Sequence, residues 1–157
     1  MSHPLTHLDE GGHARMVDVT EKSPTVRAAT AAGSVRVAPE VVALLRDGAV
    51  PKGDVLAVAR VAGIQAAKKT PELLPLAHVI GGHGCTVDLT ITDTGVDVVA
   101  TVRTADRTGV EMEALTCVAV AGLALVDMVK ALDRGAVITD VRVTAKSGGR
   151  SGTWTRG

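Results

Sequence analysis

Four ionisable residues, Glu111, Glu113, Asp127 and Lys130, bracket an otherwise apolar stretch, TGVEMEALTCVAVAGLALVDMVK, running from Thr108 to Lys130. Charges beside a packed core cost stability unless they are partnered, so each of the four needs a reason. On a helix, Asp127 and Lys130 share a face. A carboxylate beside an amine is either a surface ion pair worth under about 1 kcal/mol or a pair that exchanges protons. At about 100° per residue, Asp127 falls within about 40° of Glu113. Their common stripe includes Val120 and Leu123 or Ala124, which read as buried contacts. Burial beside a lysine predicts proton affinities drawn towards neutrality. Glu111 stands three residues after Thr108, the capping-box spacing, so a purely structural role competes with a chemical one. Glu113 lies in the first turn, where the helix dipole favours an anion, but capping does not require it. Helix rise places Glu113 and Asp127 roughly 21 Å apart. One small substrate does not span both ends of one helix, so either one end is a site or both ends serve pockets shared between subunits.

A second string, Lys146-Ser-Gly-Gly-Arg-Ser-Gly152, follows a strand. Glycines let backbone N–H groups converge on an oxyanion, and Lys146 and Arg150 supply charge. It is not a Walker A loop, because the glycine spacing differs and no helix follows; a flexible tail is the plain alternative. Lys52, just ahead of a helix start, either seats a phosphate there or is an ordinary turn lysine. Lys68 and Lys69 suit the negative end of a helix dipole. His78 and His83 flank glycines, but no third ligand stands at a familiar spacing, so a substrate-orienting His78 is favoured over a metal site.

These groups need elements to hold them. Thr25 to Val37 alternates like a strand, and Pro39 opens a short helix, Glu40 to Arg46, closed by Gly48. Asp54 is an N-cap for a helix from Val55 to Lys69. Thr70 to Leu76, with Pro71 and Pro75, reads as irregular. Cys85 to Thr92 and Val96 to Arg103 alternate around Asp93-Thr94-Gly95, a hairpin. The long helix follows, Gly135 ends it, and Val137 to Ala145 gives a last strand. This order is the split β-α-β pattern of a ferredoxin-like α+β sandwich, with an antiparallel sheet and helices on one face. The other face of a Val-rich sheet would need a cover, for which a partner subunit is the simplest choice.

The 157-residue chain fits one domain. Residues 1–24, with His3, His7 and His13 among Gly and Asp, read as a mobile lead-in, and 25–157 as a single domain. The composition is 46% hydrophobic, but Trp154 is the only aromatic residue and the net charge is zero. An aromatic base-stacking platform and broad attraction to nucleic acid or an anionic membrane are therefore disfavoured. No basic start precedes an apolar run at the N-terminus, and Ala114 to Val126 is short for a bilayer. Cys85 and Cys117 lack any CxxC pattern and read as buried free thiols of a cytoplasmic protein.

Four segments resemble the cyclic pyranopterin monophosphate synthase family, also called molybdenum cofactor biosynthesis protein C: LTHLDEGGHARMVDVTEK, KGDVLAVARVAGIQAAKKTPELLPLAH, TGVEMEALTCVAVAGLALVDMVKAL and VRVTAKSGGRSG. The resemblance covers nearly the whole chain. It implies a ferredoxin-like lyase that converts 3′,8-cyclo-7,8-dihydroguanosine 5′-triphosphate to cyclic pyranopterin monophosphate and pyrophosphate. It further implies a hexamer, a trimer of dimers, with pockets at a dimer interface. By motif, Asp127 and Lys130 resemble the family's acid/base pair, and Lys52 and Lys146 its other functional lysines. Leu76-Ala77-His78 and Met112-Glu113, with Glu111 beside them, resemble its substrate-binding segments. No cofactor or metal cage is implied, although Mg²⁺ can accompany the polyphosphate. The family usually reads Leu-Cys-His-Pro where this chain has Leu76-Ala77-His78-Val79. The fold alone is equally compatible with a nucleotide-sensing module, which would not need the Asp127–Lys130 pair.

Overall fold

Alternation in the first strand sets the architecture. In β1 (Thr25–Arg36), Arg27, Ala29, Ala31 and Val35 are buried while their neighbours are not. The small residues on that side let a helix approach closely: a Cβ added at Gly33 would sit 2.9 Å from Val118 of the long helix. The computed structural model describes residues 7–157; residues 1–6, His3 among them, lie outside the described residues.

After β1 come α1 (Pro39–Asp47), α2 (Val55–Lys68) and the short α3 (Thr70–Leu73). β2 (His83–Thr92) and β3 (Gly95–Asp106) form a hairpin, followed by α4 (Glu111–Val129), β4 (Val137–Ser147) and β5 (Trp154–Thr155). The sheet order is β2-β3-β1-β4-β5 and every paired strand is antiparallel. Without β5 this is the ferredoxin-like α+β sandwich the alternation predicts. α2 and α4 lie side by side over one face, and the core between the layers is built almost wholly from Val, Ala and Leu.

Local chemistry explains most boundaries. Asp54 caps α2 by accepting from the Ala57 N–H at 3.0 Å, and Gly48 closes α1 in the left-handed conformation. The hairpin turn is Asp93-Thr94, with Thr92 opposite Gly95. A side chain at Gly95 would collide with the Val35 carbonyl, so the edge of the hairpin can pass β1 only with glycine there. The α2–α4 contact also depends on a glycine. A Cβ at Gly63 would stand 2.9 Å from the Cys117 carbonyl, so the two helix backbones touch at that point.

Three expectations need correction. Thr70 to Leu73 is helical rather than irregular: Pro71 sits in the first turn, where a missing N–H costs nothing, and the buried Thr70 hydroxyl donates to the Ala67 carbonyl. The Trp154–Thr155 strand, too short to show periodicity, pairs with β4. The face away from the helices is not Val-rich. Ala28, Thr30, Ala32 and Ser34 of β1 line it, with Thr30 bonded to Thr101 at 3.0 Å and Ser34 to Asp97 at 2.7 Å. A face of small and hydroxyl side chains tolerates water. Exposed apolar residues occur there singly, as at Val26 and Val99, and the helical layer carries others, among them Val58, Val61 and Leu123. α4 is long and apolar enough to cross a membrane by length and composition, but it packs against α2 and three strands as the central core helix.

Candidate active site

The structure gathers the charged residues into two clusters, one at each end of α4. At the C-terminal end, Asp127 Oδ1 lies 2.7 Å from Lys130 Nζ and 3.9 Å from Lys52 Nζ. Lys52 Nζ also donates to the Asp127 carbonyl oxygen at 2.9 Å. Lys52 comes from the turn before α2, where the Asp54 cap fixes the chain. Its extended side chain meets two requirements there: a negative helix end and a carboxylate.

Asp127 is exposed rather than buried, because the last turn of α4 buries Met128 and Val129 in its place. The stripe it shares with Leu123 faces outward at this end. Its carboxyl consequently moves opposite to the expected direction: the Lys130 hydrogen bond, with the charges of Lys130 and Lys52, holds it below the usual carboxylate range. The cluster presents one ionised carboxylate and two amines to solvent, in an order set by the carboxylate.

At the N-terminal end, Lys146 Nζ pairs with Glu111 Oε1 at 3.0 Å, and both side chains are more than two-thirds buried. This pair replaces the expected cap. Val110, not Thr108, occupies the N-cap position, with no side-chain capping bond. α4 therefore starts two residues later than the Thr108 spacing suggests, and Glu111 turns to a lysine 35 positions away in sequence. Glu113 is buried. Burial, with the neighbouring Glu111 charge, raises its carboxyl above the ordinary value. Met112 between them is exposed.

Arg27 completes this end and was missed in the sequence. It is buried on the helix-facing side of β1, and its Nε donates to the Asp106 carbonyl at 3.1 Å. The signal was present, because Arg27 lies in phase with Ala29, Ala31 and Val35, a charge on the buried side of an alternating strand. Gly149 has φ +77, and a Cβ there would collide with the Arg27 guanidinium. The Gly148-Gly149 turn is therefore laid directly on Arg27. A cleft of about 400 Å³ opens beside it, lined by Lys22, Ser23, Arg27, Gly149 and Arg150 among others. Basic side chains converging on a glycine turn suit a polyphosphate.

Leu76, Ala77 and His78 lie in the loop after α3, apart from both clusters by direct contact. His78 Nε2 is 2.7 Å from the Val17 carbonyl oxygen, which ties residues of the lead-in to this loop. Farther along the loop, the Gly81 N–H donates to Asp106 Oδ2 at 2.9 Å. Asp106 thus links the His78 loop to the Arg27 side of the molecule. Its carboxyl is held low by the Gly81 and Arg107 N–H groups. Among the described residues, no three His, Cys, Asp or Glu side chains are grouped to hold a metal ion.

The profile of the MoaC family matches residues 16–149, which contain both clusters and the His78 loop. A cyclic pyranopterin monophosphate synthase of Streptomyces coelicolor is 63% identical over 97% of this chain and 89% of its own length. The enzyme of that name from a Nocardioides species is 61% identical, covering 97% and 95%. Cyclic pyranopterin monophosphate synthase 2 of Mycobacterium tuberculosis H37Rv is 57% identical, covering 99% and 93%. With a match of this length and identity, and every charged residue of the two clusters inside it, the chain belongs to the MoaC family.

Proposed function

We propose that this chain is a cyclic pyranopterin monophosphate synthase, a lyase of molybdenum cofactor biosynthesis that acts in the cytoplasm. Its substrate is 3′,8-cyclo-7,8-dihydroguanosine 5′-triphosphate, and its products are cyclic pyranopterin monophosphate and pyrophosphate. The observation that carries the chemistry is the Asp127 carboxylate, held between Lys130 at 2.7 Å and Lys52 at 3.9 Å on an open surface.

The reaction rearranges the base-derived ring, closes a cyclic phosphate at the inner phosphorus and expels pyrophosphate. Lys130, oriented by Asp127, exchanges protons with the rearranging ring. Lys52 and Lys146, with the glycine-rich turn on Arg27, hold the triphosphate and stabilise charge on the departing pyrophosphate. Glu113, Glu111 and the Leu76-Ala77-His78 and Met112 segments orient the ring. No cofactor is required in this reading; Mg²⁺ enters, if at all, with the polyphosphate as part of the substrate.

The two clusters stand at opposite ends of a 19-residue helix, about 28 Å long by helix rise. One substrate reaches both only if they come from different protomers. In this reading the active form is a homo-oligomer with each pocket shared between protomers; a hexamer, a trimer of dimers with pockets at a dimer interface, is what the resemblance to the family implies. The exposed Val58, Val61 and Leu123 of the helical layer supply apolar surface for subunit contact. Pyrophosphate release from the cyclo-dihydro-nucleotide tests the assignment. The purified protein should release one pyrophosphate per cyclic monophosphate formed; tight binding without release would contradict it.

A further inference from the structure

The two cysteines take no part in the reaction above, yet they face one another between the edge strand and the central helix. Cys85 Sγ, on β2, lies 3.7 Å from Cys117 Sγ, on α4. Both are free thiols; Cys117 is buried and Cys85 is partly exposed. The separation is within reach of a weak S–H hydrogen bond and about 1.6 Å longer than a disulfide bond. The two sides of the gap differ in freedom. Cys117 is clamped where the α2 and α4 backbones touch at Gly63. β2 is an edge strand that pairs only with β3 in the sheet. Arg60 of the helical layer donates to the Val87 carbonyl, beyond Cys85, at 3.0 Å, and Gly81, Gly82 and Gly84 surround the entry to the strand. The strand end carrying Cys85 can close the gap without moving the core helix.

We propose that Cys85 and Cys117 form a reversible intramolecular disulfide on exposure to a peroxide, a modification site separate from the charged clusters. The partly exposed Cys85 thiolate attacks one peroxide oxygen, breaks the O–O bond and becomes a sulfenic acid, releasing hydroxide. The Cys117 sulfur then attacks the Cys85 sulfur. The sulfenic oxygen leaves as water, taking the proton of the Cys117 thiol. In sum two thiols lose two electrons and two protons, and hydrogen peroxide is reduced to two waters. The local chemistry supports this division of roles. The Cys117 S–H bond to Cys85, helped by the Lys68 charge, lowers the Cys85 thiol. The same bond and burial push the Cys117 thiol up, which keeps it protonated until it is needed. Sulfenic acid formation needs solvent access only at Cys85.

The test treats the assembled full-length protein with hydrogen peroxide, quenches in acid, alkylates after unfolding and maps peptides by mass spectrometry. Expected is the joint loss of both alkylatable thiols, a Cys85–Cys117 cross-linked peptide from single chains, and full recovery of both thiols with dithiothreitol. Cys117→Ala should remove the cross-link and leave Cys85 oxidised to sulfinic or sulfonic acid. The wild-type measurement stands alone if that variant misfolds. Three results would overturn the proposal: Cys85 over-oxidised in folded wild type while Cys117 stays free, cross-links only between chains, or both thiols intact where free glutathione in the same tube is consumed.

Discussion

Asp127 gives the clearest lesson at the residue scale. The Lys130 spacing was readable three positions along the chain, but its environment was not, because a helical stripe says nothing of where the covering layer ends. The carboxylate is exposed and held ionised by two amines, so it orients and polarises Lys130 instead of titrating near neutrality. Asp127→Asn and Lys130→Ala should each lower turnover by at least about a hundredfold, measured as pyrophosphate release by correctly assembled protein; a near-normal rate in either variant removes that residue from the mechanism. Glu113 makes the opposite kind of prediction. Its carboxyl is raised by burial, so the folded state holds the proton more tightly than the unfolded chain does. The stability this gives is complete below the ordinary value of 4.5 and is lost as pH rises through the raised folded value. Glu113→Gln should therefore raise the Tm at neutral pH, with the gain vanishing below about pH 4.5. An equal gain at all pH values would show that the charge is not the cause.

Strands and long helices at the element scale were legible because their period-2 and apolar patterns serve one buried face. The Asp54 cap and Gly48 stop were legible because they act within a turn of their own sequence. The start of α4 was not. The Thr108–Glu111 spacing is what a capping box would show, but Lys146 claims Glu111 across the fold, and a long-range ion pair leaves no local trace. Arg27 was legible in principle, as the charged member of a buried alternation. Two substitutions separate scaffold from site. Asp54→Ala should cost about 1 kcal/mol of stability, read by urea unfolding, and should loosen Lys52 through the turn that carries it. Gly63→Ala should cost roughly 1–3 kcal/mol, because its Cβ meets the Cys117 carbonyl at 2.9 Å and backbone cannot step aside as a side chain can. A neutral Gly63→Ala would mean that the helices are not in contact at that point.

The composition was a reliable guide to the core at the scale of the whole molecule, since a chain with one aromatic residue must build chiefly from Val, Ala, Leu and Ile. It misled about the sheet's outer face, where Thr, Ser and Ala outnumber the exposed Val26 and Val99. The proposed assembly draws instead on α4. Its two charged ends are too far apart for one substrate, and its exposed face carries apolar side chains. In solution the protein should have six times the 16.0 kDa chain mass by analytical ultracentrifugation. The most direct test mixes two inactive proteins, Lys146→Ala and Asp127→Asn, under conditions that exchange subunits. If each pocket takes Lys146 from one protomer and Asp127 from another, random mixing should restore about a quarter of wild-type pyrophosphate release. A mixture no more active than the average of its two components, after exchange has been verified, would show that both clusters do not serve a shared pocket.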